Sequence, residues 1–220
     1  MLRAVIFDMD GTLGDTLPLC VESYRRCVGE LTGRIPEAEE VEALFGLSDR
    51  GVLGGLLGMS PDDPELPIAK FADVYERLHA EYAPHPFAGV RELLGRLAAA
   101  GLRLAVVTGK ESYTALPTLR FFGLNENFEM CLYGDPYCNV KAQRMREYMQ
   151  CTGLNPQEVL YVGDMPTDIQ QARQAGVRVA CAAWAPDASR YEISCRAQRP
   201  DAYVKTIEEL ETVVNNMSQL

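Results

Sequence analysis

Residues 4–13 read AVIFDMDGTL, and the carboxylates Asp8 and Asp10 stand at the end of an apolar run with only Met9 between them. In an extended segment side chains alternate, so a spacing of two points both acids the same way. Other segments end in chemistry of the same kind. LRLAVVTGK closes on Thr108, Gly109 and Lys110, VLYVGDMPTD closes on Asp164 and Asp168, and Lys141 stands before a helical stretch. If the apolar runs are parallel strands, four acids, a hydroxyl and one or two lysines meet at one sheet edge. Packing alone does not account for such a cluster, because gathered carboxylates shift one another's pKa unless a cation compensates. The natural compensator is a hard divalent ion with oxygen ligands, Mg²⁺ first among them.

The elements that must position these residues follow from the apolar pattern. LRAVIF (2–7), LRLAVVT (102–108), EMCLYG (129–134), VLYVGD (159–164) and VRVACAA (177–183) read as buried strands of a parallel sheet. Between them Val90, Leu93, Leu94 and Leu97 recur at helical spacing, with Gly101 as a C-cap. Residues 143–151 and 168–175 read as further helices, the latter closed by Gly176. Strand and helix in alternation predict an α/β fold with a doubly wound parallel sheet. Residues 16–85 break the rhythm: helices are expected over 17–31, 37–46, 48–58 and 67–83, with Pro and Gly at the joins. The expected organisation is a core from 1–15 and 86–220 with a helical insertion at 16–85. Ligands in such sheets bind at the carboxyl ends of the strands, so an insertion leaving there lies over the site as a lid.

Composition narrows the function classes. The chain has 220 residues, 47% hydrophobic and 24% charged, with a formal net charge of −10 and no basic stripe. Nucleic acid and anionic membranes are excluded as expected partners. An anionic small molecule remains open if a local cation receives it. Seven cysteines, an odd number with no CxxC pair, predict free thiols in a reducing cytoplasm. A zinc site is not expected, since His79 and His85 are the only nitrogen ligands, and both read as surface or packing residues. The apolar stretch before Asp8 is too short for a signal sequence, and no run approaches the ~20 residues of a membrane span.

The motifs in order resemble the haloacid dehalogenase superfamily of phosphohydrolases. DMDGT is similar to that family's first motif, VVTGK to its second, Lys141 falls where the third places its lysine, and GDMPTD is similar to the fourth. Together they span most of residues 4–168. The helical insertion resembles the family's C1-type cap, and the layout is similar to phosphoglycolate phosphatase-like and β-phosphoglucomutase-like members. The resemblance implies Asp8 as a nucleophile that becomes an aspartyl-phosphate. It implies Asp10 as general acid and then base, with its carbonyl on the metal. Thr108 and the Gly109 amide would bind phosphoryl oxygens, and Lys141 would neutralise developing charge. Asp164 would ligate Mg²⁺, and Asp168 would ligate it or orient a water and Lys141. The run NVKAQ departs from the family's frequent Lys-Pro, which makes Lys110 an alternative phosphate-binding cation.

Other residues carry weaker expectations. Arg50 in the insertion is a candidate for reading the substrate, Asp15 for capping the first inserted helix, and Trp184 for packing or the pocket rim. The expected function is a Mg²⁺-dependent phosphatase acting on a small phosphorylated metabolite, phosphoglycolate by analogy, as monomer or homodimer. A phosphomutase uses the same residues, and a phosphate-binding relative without catalysis is a further alternative. Dehalogenases lack the second acid of the first motif, and phosphonatases need a cap lysine for which only Lys70 is present. Receiver domains gather similar groups but lack DxDGT and the insertion.

Overall fold

The computed structural model describes residues 1–219. Strand β1 (Ala4–Phe7) is followed by four helices: α1 (Leu17–Thr32), α2 (Ala38–Glu42), α3 (Asp49–Leu57) and α4 (Ile68–Tyr82). Then come α5 (Val90–Ala99), β2 (Arg103–Val107), α6 (Ser112–Phe121), β3 (Met130–Leu132) and α7 (Lys141–Thr152). The chain continues through β4 (Val159–Gly163), α8 (Pro166–Ala175), β5 (Arg178–Ala182), α9 (Glu192–Ala197), β6 (Ala202–Val204) and α10 (Ile207–Gln219). The six strands form one sheet in the order β3-β2-β1-β4-β5-β6, every neighbouring pair parallel.

Strand β1 is central and buried on both faces, which is why its sequence is continuously apolar. Val5 and Phe7 join one core cluster, while Ala4 and Ile6 face the other. Register then decides what meets at the edge. Phe7 lies opposite Val106 on one side and Val162 on the other, so the chain beyond each strand end brings Asp8, Thr108 and Asp164 together. The Asp8 amide donates to Val162 O (2.8 Å) and the Thr108 amide to Leu132 O (3.1 Å), extending the ladders into the site.

The 17–82 segment is all-helical, as the breaks in periodicity predict. Tyr24 of α1 stacks on Phe71 of α4 at 4.3 Å between centroids. The segment also grips α6. The hydroxyls of Tyr75 and Thr118 are 2.8 Å apart, and the buried His79 ring stacks on Phe121 at 4.3 Å. Burial drives the His79 pKa down to about 4, so it serves as a neutral packing residue. From α3, the Asp49 carboxylate accepts the Glu111 amide (2.9 Å) and the Thr114 hydroxyl (2.5 Å), satisfying donors in the first turn of α6 from outside its own chain segment. His85 is exposed, and Trp184 Nε1 donates to Thr12 O (3.1 Å).

Four elements go beyond the sequence expectations: α6, α9, β6 and α10. Helix α6 contains Pro117, which removes one helical hydrogen bond. Burial of Ala115, Thr118 and Leu119 prevails over that local preference. Strand β6 has only three residues at the sheet edge, too short for a periodicity to register. Helices α7 and α8 begin two residues earlier than the patterns suggest, α8 with Pro166 in its first turn, where a missing amide costs nothing.

Candidate active site

The chain leaves β1 through a turn that only glycine makes comfortably. Gly11 has φ +71°, and a Cβ there would lie 2.3 Å from Asp164 Oδ2. This close approach sets the first motif against the fourth. Thr12 reinforces it, its hydroxyl donating to Asp164 Oδ1 at 3.4 Å. Gly11→Ala is therefore expected to destabilise the fold by about 2–4 kcal/mol, a fall in Tm of roughly 5–15 °C. Thermal unfolding of the variant checks this, and an unchanged Tm would contradict the geometry.

Asp8 (4% exposed), Asp164 (8%) and Asp168 (0%) offer ligand oxygens that all lie within 4.8 Å of one another. Lys141, at the start of α7, reaches into this group. Its Nζ is 2.7 Å from Asp8 Oδ2 and 2.7 Å from Asp168 Oδ1. Asp168 is held on both oxygens. Oδ1 also accepts the Tyr161 hydroxyl (3.2 Å), and Oδ2 accepts the Met165 amide (3.0 Å).

The electrostatics are those of an incompletely neutralised cluster. Burial pushes the Asp8 carboxyl up to about 7; Lys141 opposes this, while Asp168 and Asp10 add to it. Asp164 is also raised well above the carboxylate range, by burial and then by Asp168 and Asp8. Burial works against the Lys141 charge, but Asp168 and Asp8 more than offset it and raise its pKa. One ammonium among three buried carboxylates leaves an excess of negative charge. All the free donors are oxygens, so the set fits a small hard dication. Asp8 and Asp164 are the residues that would hold it.

Asp10 has a cation of its own. Its Oδ1 accepts the Thr16 hydroxyl (2.5 Å), with Cys20 Sγ at 3.6 Å and Lys110 Nζ at 3.5 Å. The Lys110 side chain is 4% exposed, lies 3.1 Å from Cys20 Sγ and sits over the Tyr75 ring at 4.4 Å. Burial opposes the Lys110 charge, yet Asp10 and its neighbours hold its pKa well above the ordinary value. The two acids of the first motif are thus tolerated because each faces a lysine of its own. Lys110 also lines the cavity, with its ammonium turned toward Asp10.

The remaining expected residues divide. Gly109 lines the same cavity as Asp8, Asp10, Lys141 and Asp164. Thr108 sits fully buried at the end of β2, its hydroxyl accepting the Lys110 amide at 3.2 Å. Arg50 is not brought to the cavity: its Nε donates to Pro61 O (3.0 Å) and its amide to Glu111 Oε1 (3.1 Å). Asp15 lines the cavity, and the N-cap of α1 is Thr16. Sequence reasoning passed over Thr16, Tyr161 and Asp49, whose partners come from other elements. The seven cysteines are all free.

Comparison with known proteins shows the family. Residues 5–182 match the model of the haloacid dehalogenase-like hydrolases. A phosphoglycolate phosphatase from Nitrosospira multiformis is 32% identical over 216 residues, covering 93% of this chain and 94% of that one. An N-acetylmuramic acid 6-phosphate phosphatase from Pseudomonas aeruginosa is 32% identical over 184 residues, covering 81% and 80%. Among solved structures, CbbY from Rhodobacter sphaeroides in complex with phosphate superposes with a TM-score of 0.69 at 22% identity, over 83% of this chain and 86% of that one, a likeness of fold. With the motifs meeting at one sheet edge and the family model spanning β1 to β5, the chain belongs to the haloacid dehalogenase-like hydrolase family.

Proposed function

We propose that this hydrolase is a Mg²⁺-dependent phosphatase that removes phosphate from a small phosphorylated metabolite through a phosphorylated Asp8. The observation that carries the reading is the Asp8–Lys141–Asp168 chain of 2.7 Å contacts beside Asp164. A buried carboxylate aimed into a cavity is a competent nucleophile when cations offset its charge. Bound Mg²⁺ would supply Lewis-acid stabilisation of phosphoryl oxygens and cancel repulsion between substrate and Asp8.

The chain's own residues do the rest. Asp8 attacks phosphorus, forming an Asp8–phosphorus bond as the bond to the ester oxygen breaks. Asp10, on the cavity wall, gives a proton to the leaving oxygen and later takes one from the water that opens the acyl phosphate. Lys141 stabilises charge on the transferring group, and Asp168, with both oxygens engaged by protein donors, fixes where that ammonium sits. Gly109, on the cavity wall, would give its amide to a phosphoryl oxygen, and Thr108 braces that loop through its bond to the Lys110 amide. The helical segment 17–82 acts as the cap that excludes bulk water.

Phosphate release from p-nitrophenyl phosphate and a panel of metabolite esters, with Mg²⁺ and with EDTA, tests the reading. Phosphoglycolate heads the panel because of the names its relatives carry. Release that needs Mg²⁺ supports the proposal. Isomerised sugar phosphate without release would favour a mutase, and neither would leave a binding protein.

Metal binding has its own readout. Asp8 has a folded-state pKa above its unfolded value of 3.8, so its contribution favours the metal-free fold below that pH and is lost as pH rises through about 7. Mg²⁺ is expected to raise Tm by about 5–10 °C at about 100 times its Kd. The rise should be larger near about pH 8 than about pH 5.5, where protons compete for the same carboxylates. No shift at either pH would contradict the metal assignment.

A further inference from the structure

The cavity in front of Asp8 measures about 960 Å³. That is at the upper end of sites that enclose drug-sized ligands and well beyond what a two-carbon phosphate ester fills. Its two lysines lie at the phosphate end, tied to Asp8, Asp168 and Asp10. The other charges on its lining include Asp15, Glu22, Glu39, Glu42, Asp187 and Arg190. Arg190 is paired with Glu42 at 2.8 Å, and Glu22 is paired with Arg25 and Arg26 of its own helix. Asp15, Glu39 and Asp187 have no ion-pair partner among the described residues. Burial, and then the nearby charge of Asp187, raise the Asp15 pKa. Asp49 adds a buried carboxylate, its oxygens taken by Tyr24, Glu111 and Thr114. The apolar part of the wall includes Phe45, Tyr82 and Tyr191.

We infer that the alcohol half of the substrate is neutral or cationic and about the size of a sugar, and that a carboxylate or second phosphate on it is rejected. This rests on the phosphatase reading and specifies its substrate. A second anion would meet a wall whose one arginine, Arg190, is already paired with Glu42, and the unpaired acids there would repel it, an effect that salt screens. Hydroxyls, an amine and an apolar sugar face find acceptors and aromatic surfaces there.

Three esters of matched size separate the charge: glucosamine 6-phosphate, glucose 6-phosphate and 6-phosphogluconate. Phosphoethanolamine and phosphoglycolate repeat the contrast at two carbons. Each is measured with Mg²⁺ as a substrate and as a competitor of p-nitrophenyl phosphate hydrolysis, so a compound that is not turned over still gives a value. The amine and neutral sugar esters are expected to exceed 6-phosphogluconate at least about 10-fold in kcat/KM or in inhibition, with the gap narrowing at high salt. Asp187→Lys is expected to move the ratio of 6-phosphogluconate to glucosamine 6-phosphate at least about 10-fold toward the anion. Equal or better use of 6-phosphogluconate or phosphoglycolate, or a ratio that ignores both salt and Asp187→Lys, would overturn the inference while leaving the phosphatase standing. If neither p-nitrophenyl phosphate nor any of these esters is hydrolysed, the phosphatase reading fails and the inference with it.

Discussion

Asp8→Asn is expected to lower phosphate release by at least about 10⁴-fold, the scale on which removing a covalent nucleophile acts. The fold should survive. The asparagine side chain has the carboxylate's shape, and its oxygen can still accept from Lys141, which lies 2.7 Å from Asp8 Oδ2. The substitution also removes a charge that burial, Asp168 and Asp10 all disfavour. Metal-free Asp8→Asn is therefore expected to be at least as stable as the native chain above about pH 7, where native Asp8 is ionised. Steady-state assay with thermal unfolding separates the two effects. A folded variant keeping more than about one hundredth of native turnover would show that Asp8 is not the nucleophile.

Lys141→Met keeps the length of the side chain and deletes its charge. Its expected cost in kcat is about 10²–10³-fold, the usual loss when one preorganised group facing developing charge is removed. The same change leaves Asp8 and Asp168 facing each other without their shared ammonium. Breaking a buried ion pair from one side costs about 3–5 kcal/mol, so the metal-free protein should lose that much near about pH 8. The loss should shrink toward about pH 5, where Asp8 takes up a proton and the repulsion falls. Denaturant unfolding at the two pH values, with EDTA, reads it directly. A pH-independent loss would mean that Lys141 contributes packing rather than charge.

The sheet-edge chemistry was readable in the sequence because it depends on short-range regularities. A strand buried on both faces is apolar throughout, and in a parallel sheet every strand ends at the same edge. Asp8, Thr108 and Asp164 therefore converge wherever the apolar runs stop, and the register of Phe7 with Val106 and Val162 bears this out. Lys141 converges too, although its loop lacks the proline frequent in the family. What lay beyond reach depends on contacts between segments far apart in the chain. Lys110 stands in the second motif, yet its partners Asp10, Cys20 and Tyr75 come from the turn after β1 and from α1 and α4. Nothing near Lys110 in sequence says which way its ammonium turns. Arg50 fails for the same reason: its neighbours 48–49 dock on Glu111 and on α6, which turns the guanidinium to Pro61 instead of the cavity. Asp49 carries no expectation in the sequence, because its hold on Glu111 and Thr114 exists only where α3 packs against α6.

The most direct test of the account is to trap the phosphoryl group on the protein. The enzyme is mixed with Mg²⁺ and a turned-over ester, quenched in acid within a turnover, and reduced with borohydride, which converts an aspartyl-phosphate to homoserine. The account predicts homoserine at position 8 in the recovered peptide, and none at position 10 or when EDTA is present. Sustained phosphate release with position 8 unmodified, or with the label on another residue, would contradict it.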